Sequence, residues 1–163
     1  MDLRSACQKL FPERILRFDA PMSEYTTFRV GGPAQALVEP ESEEQLRSCV
    51  LLCRENGWKL TVIGNGSNLL VNDAGLEGLT VRLNERFSGC VVEGETLSVK
   101  AGTSLAAAAN AALKAGLTGL EFASGIPGST GGGSAMNAGA YGGELKDVLV
   151  SCRVLDMESL KIE

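Results

Sequence analysis

Leu46, Cys49, Val50 and Cys53 recur at i, i+3, i+4 and i+7, one apolar face of an α-helix. Ser42 with Gln45 three residues on is a capping-box start, and Asn56-Gly57 is a stop. Leu3, Cys7 and Leu10 share helical spacing and predict a leading helix over residues 1–17. Runs at Gln35–Glu39, Lys59–Ile63, Leu69–Val71 and Leu79–Leu83 read as strands. Gly89–Glu93 and Thr96–Lys100 flank a turn at Gly94 and read as a hairpin. A second helix, Leu105–Lys114, follows Thr103-Ser104, ends at Gly116 and is rich in Ala, which suits close packing against a sheet. Val148–Asp156 is extended, Met157-Glu158-Ser159 turns, and Leu160–Ile162 reads as the first half of a returning strand. A domain seldom stops inside a hairpin, so the sequence is expected to be a piece of a longer chain. The helices, Gly turns and strands give an α/β or α+β protein in two subdomains, with a border near 84–90.

Composition narrows the chemistry. A chain of 163 residues with 44% hydrophobic content suits one domain or two small subdomains. The net charge is −5 and the basic residues are scattered, which argues against a nucleic-acid surface. No apolar run approaches the ~20 residues of a membrane helix. The first residues lack a basic and apolar leader, so a cytoplasmic protein without a membrane partner is expected. Five cysteines stand at 7, 49, 53, 90 and 152, an odd number without close pairs, which points away from a disulfide framework. Cys49 and Cys53 could share a helix face as metal ligands, but Leu46 and Val50 lie there too, and core packing is the simpler reading. There is no histidine, which removes the commonest acid–base group and the usual zinc ligand; no metal site is expected.

Two glycine motifs carry the candidate chemistry. Gly64-Asn65-Gly66-Ser67-Asn68 follows a predicted strand and can fold into a nest of inward N–H groups. It begins like a dinucleotide fingerprint, but Leu69 stands where the third Gly is needed and no helix pattern follows, so that fingerprint is rejected. An ordinary Asn-Gly turn between strands is the bland alternative. Ten of the twenty glycines fall between 116 and 143. Within them Gly128 and Gly133-Ser134 have the spacing of a P-loop without its Lys, which argues against nucleotide hydrolysis but suits a bound pyrophosphate. A flexible linker is disfavoured by Ile126, Pro127, Met136, Asn137, Ala138 and Tyr141. Two neutral nests suggest one pyrophosphate-containing cofactor; a non-enzymatic nucleotide-binding module stays open. Trp58, Phe87 and Phe122 read as core, Tyr141 as core or ligand contact, Glu121 as cofactor-facing or exposed, and Arg29 as a phosphate or other cofactor contact.

Three ordered stretches carry a resemblance: Tyr25-Thr26-Thr27-Phe28-Arg29-Val30-Gly31-Gly32-Pro33-Ala34; Gly64 through Val71; and Gly119-Leu120-Glu121-Phe122-Ala123-Ser124-Gly125-Ile126-Pro127-Gly128 on to Asn137-Ala138-Gly139-Ala140-Tyr141-Gly142. Over about residues 20–156 the chain resembles the UDP-N-acetylenolpyruvoylglucosamine reductases, flavoenzymes of bacterial peptidoglycan precursor synthesis, and within them the subtype without the extra substrate-clamping loop.

The resemblance implies an α+β FAD-binding domain of the vanillyl-alcohol oxidase type, with FAD between two α+β subdomains. It divides the chain into a helical extension (1–19), a first FAD-binding subdomain (20–86) and a second (87–163). Its pyrophosphate turn falls on Gly64, Asn65, Gly66, Ser67, Asn68 and Leu69. Its second flavin loop falls on Ser124, Gly125, Ile126, Pro127, Gly128, Ser129, Thr130, Gly131 and Gly132, with Asn137, Gly139 and Ala140 nearby. It further implies that NADPH reduces FAD, that the flavin delivers hydride to the enolpyruvyl double bond of UDP-N-acetylenolpyruvoylglucosamine, and that the protein is a monomer. The family's catalytic arginine, serine and glutamate match no residue of this sequence. No catalytic residue is therefore expected here, and the chain alone is expected to be inactive. Oxidases of the same fold often attach FAD through His or Cys; neither glycine motif contains one.

Overall fold

Asp2 opens the first helix, its carboxylate accepting the Ser5 N–H at 2.9 Å. This helix, α1 (Leu3–Leu10), buries Leu3, Ala6 and Cys7, whereas Leu10 faces solvent. The expectation of a helix to residue 17 is corrected. Pro12 lacks an N–H and disfavours helical backbone at Phe11, which is extended at φ −119°, ψ 135°. A short 3-10 turn, Glu13–Ile15, follows, and then β1 (Leu16–Pro21).

The computed structural model describes residues 2–163. The chain forms two units, one running to Arg82 and including Arg153–Glu163, the other Leu83–Cys152. In the first unit β2 (Pro33–Val38), β3 (Leu60–Ile63) and β4 (Leu76–Arg82) join β1 in a sheet of order β1-β2-β4-β3. β1 is antiparallel to β2, while β2, β4 and β3 are mutually parallel. The parallel part needs a crossover, supplied by α2 (Glu43–Asn56). Ser42 caps α2 by accepting the Gln45 N–H at 3.3 Å. The Gln45 side chain reaches one residue further back than a capping box requires, accepting the Glu41 N–H at 2.7 Å. Gly57 closes the helix in the left-handed region, with the Trp58 N–H on the Cys53 carbonyl at 3.0 Å. α2 buries Cys49, Val50, Leu52 and Cys53; burying a Val or Leu side chain contributes about 1.5–3 kcal/mol. Leu37, Val38, Leu79 and Val81 are fully buried in the sheet.

Leu69–Val71 is not a strand. Val71 is buried, Leu70 is 72% exposed, and the main chain there pairs with no strand. The returning hairpin does form, with Leu155 bridged to Ile162. It is held on α2 by the Arg47 Nε–H on the Leu160 carbonyl (3.1 Å) and the Arg54 Nη1–H on the Glu158 carbonyl (2.6 Å).

In the second unit β5 (Cys90–Glu93) and β6 (Thr96–Val99) make the expected hairpin. The helix α3 (Leu105–Lys114) starts from a Ser104 cap that accepts the Ala107 N–H at 3.1 Å. Its buried face, Leu105, Ala108, Ala109 and Ala112, packs chiefly on a 3-10 turn, Glu121–Gly125, and more lightly on β5 and β6. A short helix α4 (Thr130–Met136) and a small hairpin of β7 (Gly139–Ala140) and β8 (Gly143–Glu144) complete this unit. Its core gathers Leu105, Ala109, Phe122, Ala123 and Leu145. Among the described residues, no helix is long and apolar enough to cross a membrane.

Candidate cofactor site

The turn Gly64–Leu69 leaves the carboxyl end of β3, where parallel sheets present their loops to ligands. Gly66 sits at φ +65°, and a Cβ there would lie 2.1 Å from the Tyr25 carbonyl oxygen. Only glycine fits both the left-handed backbone and that approach. Two bonds from a neighbouring segment fix the turn: the Thr27 N–H donates to the Gly66 carbonyl (3.2 Å) and the Thr27 hydroxyl to the Ser67 carbonyl (3.1 Å). These bonds occupy carbonyls. Among the described residues nothing accepts a hydrogen bond from the N–H of Asn65, Gly66 or Ser67. A fixed turn with consecutive unpartnered N–H groups is a neutral cradle for phosphate oxygens. It fits the diphosphate of a dinucleotide. It does so better than a plain hairpin turn, whose N–H groups the strands would use.

The second motif is built differently from a nest. Ser129 is 2% exposed and caps α4, accepting the Gly132 N–H at 3.4 Å. The Thr130 N–H bonds to the Thr103 carbonyl (2.8 Å), Gly131 to Ala101 (2.9 Å), Gly128 to Ile126 (2.9 Å) and Gly133 to Ser129 (2.7 Å). Glycines here serve packing: a Cβ on Gly131 would lie 2.8 Å from the Ala101 Cβ, and one on Gly133 3.0 Å from Leu105 and Leu145. The expectation that this run aims N–H groups inward is corrected, because helix formation and a bridge between Ser104 and Ser129 engage them. Ser124 donates its hydroxyl to the Glu121 carbonyl at 2.8 Å, and Ile126 its N–H to Ala123 at 3.2 Å. Pro127 leads into Gly128, whose carbonyl accepts from Leu105 at 2.9 Å. The Thr130 hydroxyl donates to the Lys100 carbonyl at 2.8 Å.

Asn137 is left-handed at φ +48° and braces the small hairpin. Its Nδ2 donates to Glu144 at 2.8 Å and its Oδ1 accepts from the Lys146 N–H at 2.9 Å. Lys146, paired with Glu144, and Asn137 together hold the Glu144 carboxyl below the usual carboxylate range. Gly139 and Ala140 are the β7 strand of that hairpin. Tyr141 projects from its tip, 98% exposed at φ +53°. It lies beside an open hollow of about 440 Å³ that Gly119, Glu121 and Phe122 also line. Phe122 is core, as the sequence suggested, and Glu121 is exposed, one of its two readings, its carboxylate accepting the Gly119 N–H at 2.8 Å.

The site contains groups that the sequence did not single out. Arg82, the last residue of β4, is the ladder partner of Ile63 at the very start of the glycine turn. Its Nη1 donates to Glu39 at 2.8 Å, and its guanidinium lies 5.2 Å from the Tyr25 ring centroid. An arginine in an apolar strand run carries no spacing signal. Tyr25 and Thr27 had one, in the Tyr25–Phe28 motif.

The profile of a family described as FAD binding domain matches residues 34–159. The chain belongs to this FAD-binding family. In sequence it is similar to proteins named UDP-N-acetylenolpyruvoylglucosamine reductase. It is 45% identical to that of Clostridioides difficile over 143 residues (88% of this chain, 47% of the relative). It is 48% identical to that of Rubrobacter xylanophilus over 148 residues (91% and 49%). The chain therefore spans about half the length of the curated relatives it matches. In fold it resembles Phl p 4.0202, a glucose dehydrogenase, with a TM-score of 0.72 at 16% identity, over 100% of this chain and 37% of that one. It also resembles an alkyldihydroxyacetonephosphate synthase, with a TM-score of 0.73 at 18% identity, over 95% and 32%. At such identities these likenesses concern fold alone. They show that the FAD-binding domain has an α+β fold shared with these solved chains.

Proposed function

We propose that this chain is the FAD-binding part of an enzyme that reduces UDP-N-acetylenolpyruvoylglucosamine to UDP-N-acetylmuramate in peptidoglycan precursor synthesis. The observation that carries the proposal is the identity of 42–48% along about nine-tenths of the chain with proteins of that name. The unpartnered N–H groups of Asn65–Ser67 support it, since they suit the diphosphate of FAD. When bound, FAD supplies hydride transfer, from NADPH as donor to the enolpyruvyl double bond of the sugar nucleotide.

In this reading the residues of the chain bind and orient. Gly64–Leu69 hold the diphosphate through main-chain dipoles. Ser124–Gly132, with Asn137, Gly139 and Ala140, form the second contact to the cofactor. Their N–H groups are largely engaged, so this contact works through shape, carbonyls and closely packed glycine surface. Substrate chemistry is assigned to none of residues 1–163, and the working enzyme is a cytoplasmic monomer.

The test is reconstitution of the purified chain with FAD, followed by flavin absorbance and fluorescence, then an NADPH oxidation assay with and without the enolpyruvyl sugar. Saturable FAD binding without sugar-dependent NADPH oxidation is expected. Failure to bind FAD would overturn the cofactor assignment. Sugar-dependent oxidation would overturn the statement that these residues alone are inactive.

A further inference from the structure

Arg82 is a cation at the mouth of the glycine turn. It pairs in register with Ile63, the residue before Gly64, at the carboxyl end of two parallel strands. Partners in a parallel ladder send their side chains to the same face. Consistent with this, Arg82 lies against Tyr25, which packs on the cluster containing Ile63 and whose carbonyl borders Gly66. Its side chain is 22% exposed, and Glu39, at 14%, takes one of its donors at 2.8 Å. The Arg82 Nε is buried and has no hydrogen-bond partner. A buried guanidinium donor without an acceptor is unfavourable. Beside it lies a turn whose Asn65, Gly66 and Ser67 N–H groups are likewise without acceptors.

We propose that Arg82 is a further binding residue of this turn, a cation that contacts the diphosphate of the nucleotide cofactor alongside the Asn65–Ser67 N–H groups. The proposal rests on the FAD reading above and adds to it the charged partner that the neutral glycine motif lacks. Glu39 moderates that charge: it orients the guanidinium and offsets part of its attraction for an anion. A group acting this way gives a signature that a structural ion pair does not. Removing Arg82 weakens the ligand, and neutralising Glu39 strengthens it, although both changes break the same pair.

The experiment titrates FAD, ADP and riboflavin against the wild-type chain and the Arg82→Gln, Arg82→Lys and Glu39→Gln variants, at low and high salt, with folding checked by circular dichroism. Losing one charge-assisted contact to an anion corresponds to about a tenfold weaker affinity. Arg82→Gln is therefore expected to weaken FAD and ADP about tenfold, to leave riboflavin unchanged, and to flatten the salt dependence. Arg82→Lys is expected to fall between, and Glu39→Gln to tighten FAD and ADP. FAD and ADP affinities within twofold of wild type in Arg82→Gln overturn the proposal. So does equal weakening by Arg82→Gln and Glu39→Gln, since that marks a purely structural pair. A wild-type chain that binds neither FAD nor ADP overturns the cofactor reading itself, and this proposal with it.

Discussion

Replacing Gly66 by Ala tests the turn most directly. The residue sits at φ +65°, and its Cβ would stand 2.1 Å from the Tyr25 carbonyl oxygen and 3.1 Å from the Thr26 Cα. Left-handed backbone costs an L-residue about 1–2 kcal/mol. The contact must also open by roughly 1 Å, from 2.1 Å to beyond 3.0 Å, against main chain rather than a flexible side-chain end. Overpacking of this kind costs about 1–3 kcal/mol. The sum is about 2–5 kcal/mol, a large part of the ~5–15 kcal/mol stability of a domain. Gly57 supplies the internal control: its φ is +66°, but a Cβ there meets nothing within 4 Å. Gly57→Ala isolates the backbone contribution, about 1–2 kcal/mol. Urea unfolding followed by far-ultraviolet circular dichroism compares the two. Gly66→Ala is expected to lose about 1–3 kcal/mol more than Gly57→Ala, and its FAD affinity to fall because the N–H cradle shifts. Equal losses in the two variants would refute the argument that close approach to Tyr25 dictates the residue.

Further outcomes follow from the caps, thiols and hairpin. Ser42→Ala removes the side-chain cap of α2 and should lower stability by about 1 kcal/mol in the same assay. Burial pushes the Cys7 and Cys53 thiols from 9.0 up to about 11, and raises Cys49 as well. The folded state keeps these protons where the unfolded chain loses them. This stability is complete below pH 9.0 and falls as pH rises toward about 11, which urea titrations across that range will show. An aromatic disulfide reagent should label exposed Cys152 rapidly, and Cys7, Cys49 and Cys53 only on unfolding. Arg54→Ala removes the donor to the Glu158 carbonyl and should speed amide exchange at Val154, Asp156, Leu160 and Glu163, the residues whose N–H groups bond within the hairpin.

Local signals set much of this protein in its sequence. Helices α2 and α3 start at Ser42 and Ser104 and stop where glycine follows, because capping and left-handed backbone are properties of a few adjacent residues. The β5–β6 hairpin and the glycine turn after β3 were legible for the same reason. What the glycines do was decided elsewhere. Gly66 is required by Tyr25, forty-one residues earlier in the chain, and Gly131 and Gly133 by Ala101 and by Leu105 and Leu145. One run of glycines thus leaves N–H donors without acceptors while the other engages them in packing and hydrogen bonds, and no local pattern distinguishes the two. The break after Leu10 was readable in Pro12, but the strand that follows exists because β2 pairs with it. Arg82 is the sharpest case. In sequence it is a charge in an apolar run, and only the register of β4 against β3 brings it to the mouth of the Gly64 turn. Propensity and spacing act over a few residues; which carbonyl meets which N–H, and which cation faces which loop, depends on pairing between distant segments.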